Sequence, residues 1–235
     1  MHFLLLGSTG RTGHHVLSTL LSQNHTAVAL VRDPSSPKIS PHPNLTIVVG
    51  SPLSKSDITK ALSAAPSLTP SAAIITLNTV RASDSPFAAQ ISPPRFMADS
   101  VANACEVLGA AGIHRTVVMS TAGVGDSWGN LPWASKAFMT WTNVKYALED
   151  HGIVDGEMRG RGRMEWTLVR AVRLRFDHDK EDGKGKKKTG EVETLGSKGG
   201  GMRMSDSVGV EGVARFLVKV AVEGLFVREA VVVRD

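Results

Sequence analysis

Apolar runs and helical patterns alternate along the first half of the chain. Residues 2–7 (HFLLLG) form a short apolar run that ends at a glycine, and residues 13–23 then repeat their large apolar side chains on one helical stripe. Runs of β-branched residues bounded by Gly, Pro or Asn are typical of buried strands. These patterns predict strands at 2–7, 26–32, 45–50, 72–78 and 115–121 and helices at 13–23, 54–64 and 95–112. Strands that alternate with helices at this spacing favour a parallel sheet covered on both faces.

The alternation loosens beyond residue 121. Residues 144–160 have helical spacing, although Gly152 and Gly156 each cost a helix about 1 kcal/mol relative to alanine. We predict a helix at 144–160, strands at 165–174 and 229–235, an edge strand at 191–196, and a helix at 205–224 with Ser205 or Asp206 available as its cap. The complete pattern predicts an α/β fold of the Rossmann type, with a doubly wound, mainly parallel sheet and helices on both faces.

Three glycines follow the first strand directly. Gly7, Gly10 and Gly13 lie in GSTGRTG, between a predicted strand and a predicted helix. The first glycine allows a tight turn, the second lets backbone amides approach a pyrophosphate, and the third allows the helix to pack closely on the strand. We therefore expect a dinucleotide to contact Gly7, Ser8, Thr9, Gly10, Arg11, Thr12 and Gly13. This makes residues 1–235 a single NAD(P)-binding domain, in which about 122–235 contribute the substrate-side lobe.

The end of the second strand predicts which dinucleotide binds. An NAD site places an acidic residue there, about 20 residues after the glycines, to bind the adenosine ribose. Here the strand ends in LVRDP, and a guanidinium such as that of Arg32 can hold a 2′-phosphate while stacking on adenine. Arg11 can reach the same phosphate. Asp33 is the alternative, since it could accept from a ribose hydroxyl, but Asp before Pro is also a turn former. We expect NADP(H).

The usual acid of a short-chain dehydrogenase is missing. That chemistry needs Tyr-x-x-x-Lys on a helix, so that the lysine lowers the pKa of the tyrosine. The only tyrosine, Tyr146, is followed four residues later by Asp150.

Other polar residues follow the predicted strands at the carboxyl edge of the sheet, where ligands bind. We expect Asn78, Thr79 and Ser120 to contact the cofactor, and Ser120 and His151 to be catalytic. Each has a structural alternative, because Ser120 could cap its strand and His151 could be a core or surface histidine.

Composition narrows the classes of partner. The net charge is +5, and much of it lies in the Lys-rich stretch 178–190, which we interpret as a solvated loop. No aromatic residues interleave with those lysines, so no nucleic acid is expected. No apolar run could span a bilayer, the start lacks the features of a signal peptide, and we read it as a mature N-terminus with no membrane partner.

The number of cysteines limits the kinds of site that the chain can form and indicates its redox environment. Cys105 is the only cysteine, which excludes disulfide frameworks and cysteine-rich zinc sites, and no metal is expected. Its helical spacing with neighbouring apolar residues predicts a core position. A reducing, cytoplasmic location fits best.

Six segments of the chain carry a family resemblance: GSTGRTG, ALVRDP, VVMSTAGVGDS, YALEDHGIVDGEMR, WTLVRAVRL and the late GEVETLG with MSDSVGVEGVARFL. Together they resemble the NAD(P)H-binding atypical short-chain dehydrogenase/reductases, and among these the NmrA-like and biliverdin reductase B/flavin reductase-type proteins. The resemblance implies that Ser120 and the His151 of EDH lie near the nicotinamide. Arg173 stands where relatives have a second histidine, and VRAV lacks the proline that relatives commonly have after the strand.

These observations favour an NADPH-dependent reductase of a small aromatic or conjugated acceptor, such as a flavin, quinone or enone. Solvent can supply the proton, so the missing tyrosine does not forbid the reaction. We expect Ser120 to orient the cofactor amide or the acceptor, and His151 to hold the acceptor or relay a proton with an unperturbed pKa near 6.5. The alternatives are a non-catalytic NADP sensor of the NmrA type with a protein partner, or an isomerase or epimerase.

Overall fold

The computed structural model describes residues 1–65, 67–176 and 191–235. The strands are β1 (His2–Leu6), β2 (Thr26–Val31), β3 (Leu45–Val49), β4 (Ala72–Ile75), β5 (Arg115–Thr121), β6 (Glu165–Ala171), β7 (Arg173–Arg175), β8 (Glu193–Thr194), β9 (Ser207–Gly209) and β10 (Glu229–Arg234). The helices are α1 (Gly13–Ser22), α2 (Lys55–Ser63), α3 (Phe96–Ala110), α4 (Trp133–Trp141), α5 (Val144–Arg159) and α6 (Val210–Glu223), with a 3₁₀ helix at Gly125–Asn130.

The main sheet has the order β3-β2-β1-β4-β5-β6-β10-β8. Neighbouring strands are parallel except for β8, which runs antiparallel to β10. The chain proceeds outward from β1 to β3 and then returns to β4 on the other side of β1, which leaves a crevice at the carboxyl ends of β1 and β4. This is the predicted Rossmann-type arrangement, and it is confirmed.

Each face of the sheet carries its own core. Alternate residues of β1 point to opposite sides, so that Leu4 and Leu6 pack in one cluster while Phe3 and Leu5 pack in the other. The first cluster includes α2, α3 and α5, and the second includes α1 and α6. Cys105 belongs to the first cluster, as predicted, and burial raises the pKa of its thiol to about 11. It is a structural residue.

Two predicted elements are divided in the structure. The strand predicted at 165–174 ends at Ala171, and β7 then pairs with β9 in a separate two-stranded sheet. The helix predicted at 205–224 begins only at Val210, because β9 occupies the preceding residues. Ser205 and Asp206 are therefore not its cap, and the Asp206 carboxylate instead accepts from the Arg203 amide at 2.8 Å and from Arg234 at 3.0 Å.

The apolar pattern did not predict α4 or the preceding 3₁₀ helix. None of residues 133–141 is buried, so α4 has no apolar stripe directed at the core. The edge strand predicted at 191–196 is present as the shorter β8. The strand predicted at 72–78 ends at Ile75, so Thr76 and Asn78 belong to the loop after it. The prediction of a solvated loop at 178–190 lies outside the described residues.

The glycine turn is held against the loop that follows β4. Gly7 has φ +93°, and a Cβ on it would lie 2.9 Å from the Thr76 carbonyl carbon. A Cβ on Gly13 would lie 2.0 Å from the Gly7 carbonyl oxygen and 2.6 Å from Thr76 Oγ1. Real contacts of Cβ atoms do not become this short, so both positions require glycine.

We predict that Gly13→Ala and Gly152→Ala have opposite effects on stability. Gly13→Ala must displace backbone and should lower the free energy of unfolding by at least about 2 kcal/mol. A Cβ on Gly152 meets nothing within 4 Å, so alanine there should raise it by about 0.5–1 kcal/mol through helix propensity. Urea denaturation of both variants measures the difference. A neutral Gly13→Ala would contradict the packing described above.

Candidate active site

A cleft of about 990 Å³ follows the carboxyl edge of the sheet. This volume is at the upper end of the range for ligand sites and suits an extended ligand. Its lining includes Gly7, Thr9, Gly10, Arg11, Thr12, Arg32, Asn78, Thr79, Ser120 and His151. The fold thus brings together, in one cleft, most of the site residues predicted from the sequence.

Ser8 and Gly13 are the two predicted residues that do not line the cleft. The Ser8 side chain is buried, and its Oγ has no hydrogen-bond partner among the described residues. Gly13 lies against the Gly7 carbonyl oxygen. Both residues therefore shape the turn, and neither lines the cleft where a ligand would bind.

The start of α1 favours an anion. Thr12, at the N-cap position, makes no side-chain capping hydrogen bond, and the first turn contains no acidic residue. The partial positive charge of the helix terminus is therefore not compensated by the protein. Backbone amides at such a terminus bind phosphate groups.

Two cationic side chains line the cleft near the end of β2. Arg32 is exposed, lines the cleft and forms no ion pair with any residue that the structure describes. Lys38 lines the same region, and sequence reasoning missed it, because it lies in a loop of Pro and Ser residues without a motif. Asp33 does not line the cleft, and its carboxylate accepts from the Ser35 hydroxyl at 2.6 Å and amide at 2.9 Å, which lowers its pKa. Asp33 is thus a turn former.

Arg11 reaches across the cleft from the glycine turn. Its guanidinium lies 3.6 Å from the Asp84 carboxylate and 4.4 Å from the centre of the Phe176 ring. Both charged side chains are largely exposed, so the ion pair contributes at most about 1 kcal/mol. A phosphate group can therefore compete with Asp84 for this arginine.

Ser120 and His151 meet at the middle of the cleft. Ser120 Oγ lies 3.4 Å from His151 Nδ1, and the side chains are 3% and 5% exposed. Desolvation lowers the pKa of His151 to about 4. The expectation of an unperturbed pKa near 6.5 was therefore wrong, because it assumed contact with water. At neutral pH the imidazole is uncharged and acts through hydrogen bonding.

Asp150 fixes the helix that carries His151. Its carboxylate accepts hydrogen bonds from the Met97 amide at 2.8 Å and the Ala98 amide at 2.9 Å. These amides begin α3, whose own N-cap residue, Arg95, makes no side-chain capping bond. Asp150 thus caps α3 from the neighbouring helix and stabilises the packing of α5 on α3.

A buried ion cluster holds the other end of α5. Arg170 is fully buried and donates to Asp155 of α5 and to Asp126 of the 3₁₀ helix, each at 2.5 Å. Arg159 donates to the same two carboxylates at 3.0 and 3.1 Å. Because Arg170 pairs in register with Ser120, the cluster lies beside the Ser120–His151 pair. Neither the capping role of Asp150 nor the pairing of Arg170 with Asp126 and Asp155 could be found from the sequence, since these partners lie at least 15 positions apart along the chain.

The opposite wall of the cleft is apolar with arginines at its edges. It is formed by Ala134, Ser135, Phe138 and Met139 of α4, by Val144, Ala147 and Leu148 of α5, and by Val172, Leu174, Met202 and Met204. Arg173 and Arg203 line it without forming an ion pair within the described ranges. Arg81 also lines it, and its Nη1 atom is buried without a described hydrogen-bond partner. Tyr146 is half-exposed and does not line the cleft.

A comparison with protein families matches the model of the NAD(P)H-binding family to residues 7–223. The comparison with curated proteins gave no match.

Among the solved structures with similar folds are three proteins named as reductases or oxidoreductases. Anaerobilin reductase ChuY from Escherichia coli O157:H7 is 16% identical with a TM-score of 0.70, over 99% of this chain and 96% of that one. A wide-type short-chain dehydrogenase/reductase from Veillonella parvula, in complex with NADP, is 17% identical with a TM-score of 0.71, and the match covers 100% of this chain and 94% of that one. The oxidoreductase ylbE from Lactococcus lactis is 14% identical with a TM-score of 0.69, and the match covers 100% of this chain and 91% of that one. At these identities the similarity shows the fold.

We predict that His151 makes the protein lose stability in acid. His151 stays neutral in the folded state down to about pH 4 but protonates near 6.5 when unfolded, so the unfolded state gains protons first as the pH falls through this window. This group alone should lower the free energy of unfolding by about 2–3 kcal/mol between pH 7 and 4.5. Burial also lowers the pKa of His2 and His25, so the wild type must be compared with His151→Gln rather than judged alone.

Urea denaturation at the two pH values gives the comparison, with the exposed His42→Gln as control. The loss in acid should be smaller in His151→Gln than in wild type and unchanged in His42→Gln. Equal losses in wild type and His151→Gln would show that His151 titrates normally.

Proposed function

Because the chain belongs to the NAD(P)H-binding family, we propose that it is an NADPH-dependent reductase that transfers hydride to a small aromatic or conjugated acceptor. The observation that carries this proposal is the continuous cleft. It joins the glycine turn and its flanking cations to the Ser120–His151 pair and then to an apolar wall. A dinucleotide extended along this cleft would place its adenosine end at the cations and its nicotinamide end at the Ser120–His151 pair.

The cations at the β2 end support NADPH over NADH. Arg32 and Lys38 line the cleft there, and Arg11 approaches from the glycine turn. A 2′-phosphate supplies the negative charge that Arg32 and Lys38 lack, and it can compete with Asp84 for Arg11. Arginine can bind a phosphate with paired hydrogen bonds. Asp33, the residue that would favour an unphosphorylated ribose, is occupied by Ser35. The similar short-chain dehydrogenase/reductase solved with NADP supports the same choice.

The Ser120–His151 pair would orient the reactants. Bound NADPH would supply the hydride, and the acceptor would take up that hydride and one proton. Ser120 can donate its hydroxyl proton in a hydrogen bond to the nicotinamide amide or to the acceptor, while neutral His151 holds the hydroxyl in place. An uncharged imidazole suits a reaction whose proton comes from solvent, because no general acid of matched pKa is then required.

The lining of the wall supports a flat, negatively charged acceptor. Phe138, Met139 and Leu148 offer apolar contact surface for a conjugated ring system. Arg173 and Arg203 stand at the edge of this wall with no described ion-pair partner, so a carboxylate or phosphate on the acceptor would pair with them. A structural neighbour named as an anaerobilin reductase supports a reductase activity.

A non-catalytic NADPH sensor is the second candidate. The observation that favours it is that His151 is neutral, that Tyr146 does not line the cleft, and that the Asp206 carboxylate, which does line it, is held by Arg234, so these three groups offer no positioned proton donor. An isomerase or epimerase is disfavoured, since it needs a lysine or tyrosine at the substrate. Among the described residues, Lys38 is the lysine that lines the cleft, and it lies at the β2 end.

We predict that wild type binds NADPH at least about tenfold more tightly than NADH, and that Arg32→Ala loses most of this preference. Each charge-assisted hydrogen bond to the 2′-phosphate is worth roughly 1.5–3 kcal/mol. Calorimetric titration of both cofactors measures it. Arg163→Ala, which removes an exposed arginine outside the cleft, should behave as wild type. Equal affinities in wild type would exclude the assignment of Arg32 to a phosphate.

We also predict that NADPH oxidation will be observed with a panel of flavins, quinones and enones, including FMN and riboflavin as a charged and neutral pair. Ser120→Ala and His151→Ala should each lower turnover about tenfold or more while NADPH affinity stays nearly unchanged. Tyr146→Phe is the control and should retain activity, because Tyr146 does not line the cleft. If no acceptor is reduced although NADPH binds, the sensor replaces the reductase.

A further inference from the structure

A stretch of the chain around α4 has an unusual composition. Residues 127–148 contain no Asp or Glu, and their two charged residues are Lys136 and Lys145. The same stretch holds the only tyrosine, Tyr146, and three of the four tryptophans, Trp128, Trp133 and Trp141. Aromatic and cationic groups are thus concentrated in a segment from which negative charge is excluded.

The two faces of α4 differ in surroundings. One face lines the cleft through Ala134, Ser135, Phe138 and Met139. Trp133 lies on the opposite face, with Lys136 about 60° from it around the helix axis at about 100° per residue, and Trp141 lies about 80° from Trp133, at the border with the cleft face. Both tryptophan side chains are 82% exposed. No described element covers this outer face.

Two neighbouring segments extend the exposed aromatic surface. The Asn143 side chain donates to the Phe87 carbonyl at 2.8 Å, which brings Phe87, 70% exposed, to the C-terminal end of α4. At the other end, Lys136 Nζ lies 5.8 Å from the centre of the Trp128 ring. We call the surface formed by Phe87, Trp128, Trp133 and Trp141 the aromatic patch.

We propose that the aromatic patch docks on the surface of an anionic lipid bilayer. Exposed tryptophans beside lysines are typical of segments that lie at the boundary of headgroups and acyl chains. Each lysine gains from the negative potential of anionic lipids, and the net charge of +5 steers the protein in the same direction. Lysine is depleted in protein–protein interfaces, where arginine is the favoured cation, so a protein partner fits this patch less well.

The geometry indicates surface attachment. With nine residues, α4 is about 13 Å long, and it can lie in the interface but not cross it. No helix within residues 1–65, 67–176 and 191–235 is long and apolar enough to span a bilayer. The expectation of no membrane partner rested on this same criterion for spanning and did not consider a helix that lies on the surface. The acidic groups nearest in sequence are Asp126, paired with Arg170, and the exposed Glu149.

Cosedimentation with vesicles tests the proposal with the full chain. Wild type should bind vesicles that contain phosphatidylglycerol, bind less as salt increases, and bind poorly to phosphatidylcholine alone. Trp133→Ser combined with Trp141→Ser should weaken binding at least about tenfold, and Lys136→Gln combined with Lys145→Gln should weaken binding to anionic vesicles to a similar extent. Val49→Ser combined with Leu68→Ser, which replaces exposed apolar residues elsewhere, is the matched control and should bind as wild type.

Each other outcome counts against the proposal. NADPH binding by the tryptophan variant, measured in parallel, confirms that it is folded. Failure of wild type to bind anionic vesicles, or unchanged binding by the folded tryptophan variant, would overturn the proposal. If light scattering instead shows a wild-type dimer that the tryptophan variant dissociates, the patch is a contact between two copies of the chain. These results do not depend on whether the protein is a reductase.

Discussion

The contact of Gly13 with the Gly7 carbonyl is the constraint on which the rest of the cleft depends. A Cβ on Gly13 would lie 2.0 Å from that oxygen, so α1 can begin beside β1 only if the side chain is absent. The same contact brings Thr76 against the turn, which joins the ends of β1 and β4 across the crevice. The amides at the start of α1 then face the cleft, and the loop after β4 carries Asn78 and Thr79 to its side.

Local signals explain what the sequence could predict. The glycine turn, the buried strands and Arg32 at the end of β2 are determined by neighbouring residues, and patterns of a few residues identify them. The position of Asp150 on the amides of α3 depends on residues 52 and 53 positions away, so no local pattern contains it. The lowered pKa of His151 depends on burial by several elements. Helix α4 was not predicted because none of its residues is buried, so it has no apolar stripe for a sequence pattern to detect.

The electrostatics of the cleft change from one end to the other. Uncompensated positive charge from Arg32, Lys38 and the start of α1 suits phosphate groups. In the middle, the Ser120–His151 pair is buried and uncharged, while Arg170 neutralises two carboxylates just behind it. Removing one partner from such a buried cluster is strongly destabilising, so Arg170 supports the position of α5 more than it contributes charge to the cleft. The fixed positions of these buried groups suit the proposed hydride transfer, which depends on holding cofactor and acceptor in one orientation.

The most direct test of the proposed site is a crystal structure of the chain with NADP. The expected result has the pyrophosphate on the backbone amides of residues 7–13, the 2′-phosphate within hydrogen-bond distance of Arg32, and the nicotinamide beside Ser120 and His151. A dinucleotide bound in the reverse direction, with its 2′-phosphate at Arg173, or bound outside the cleft, would contradict the assignment of the cleft to NADPH and with it the proposed reductase.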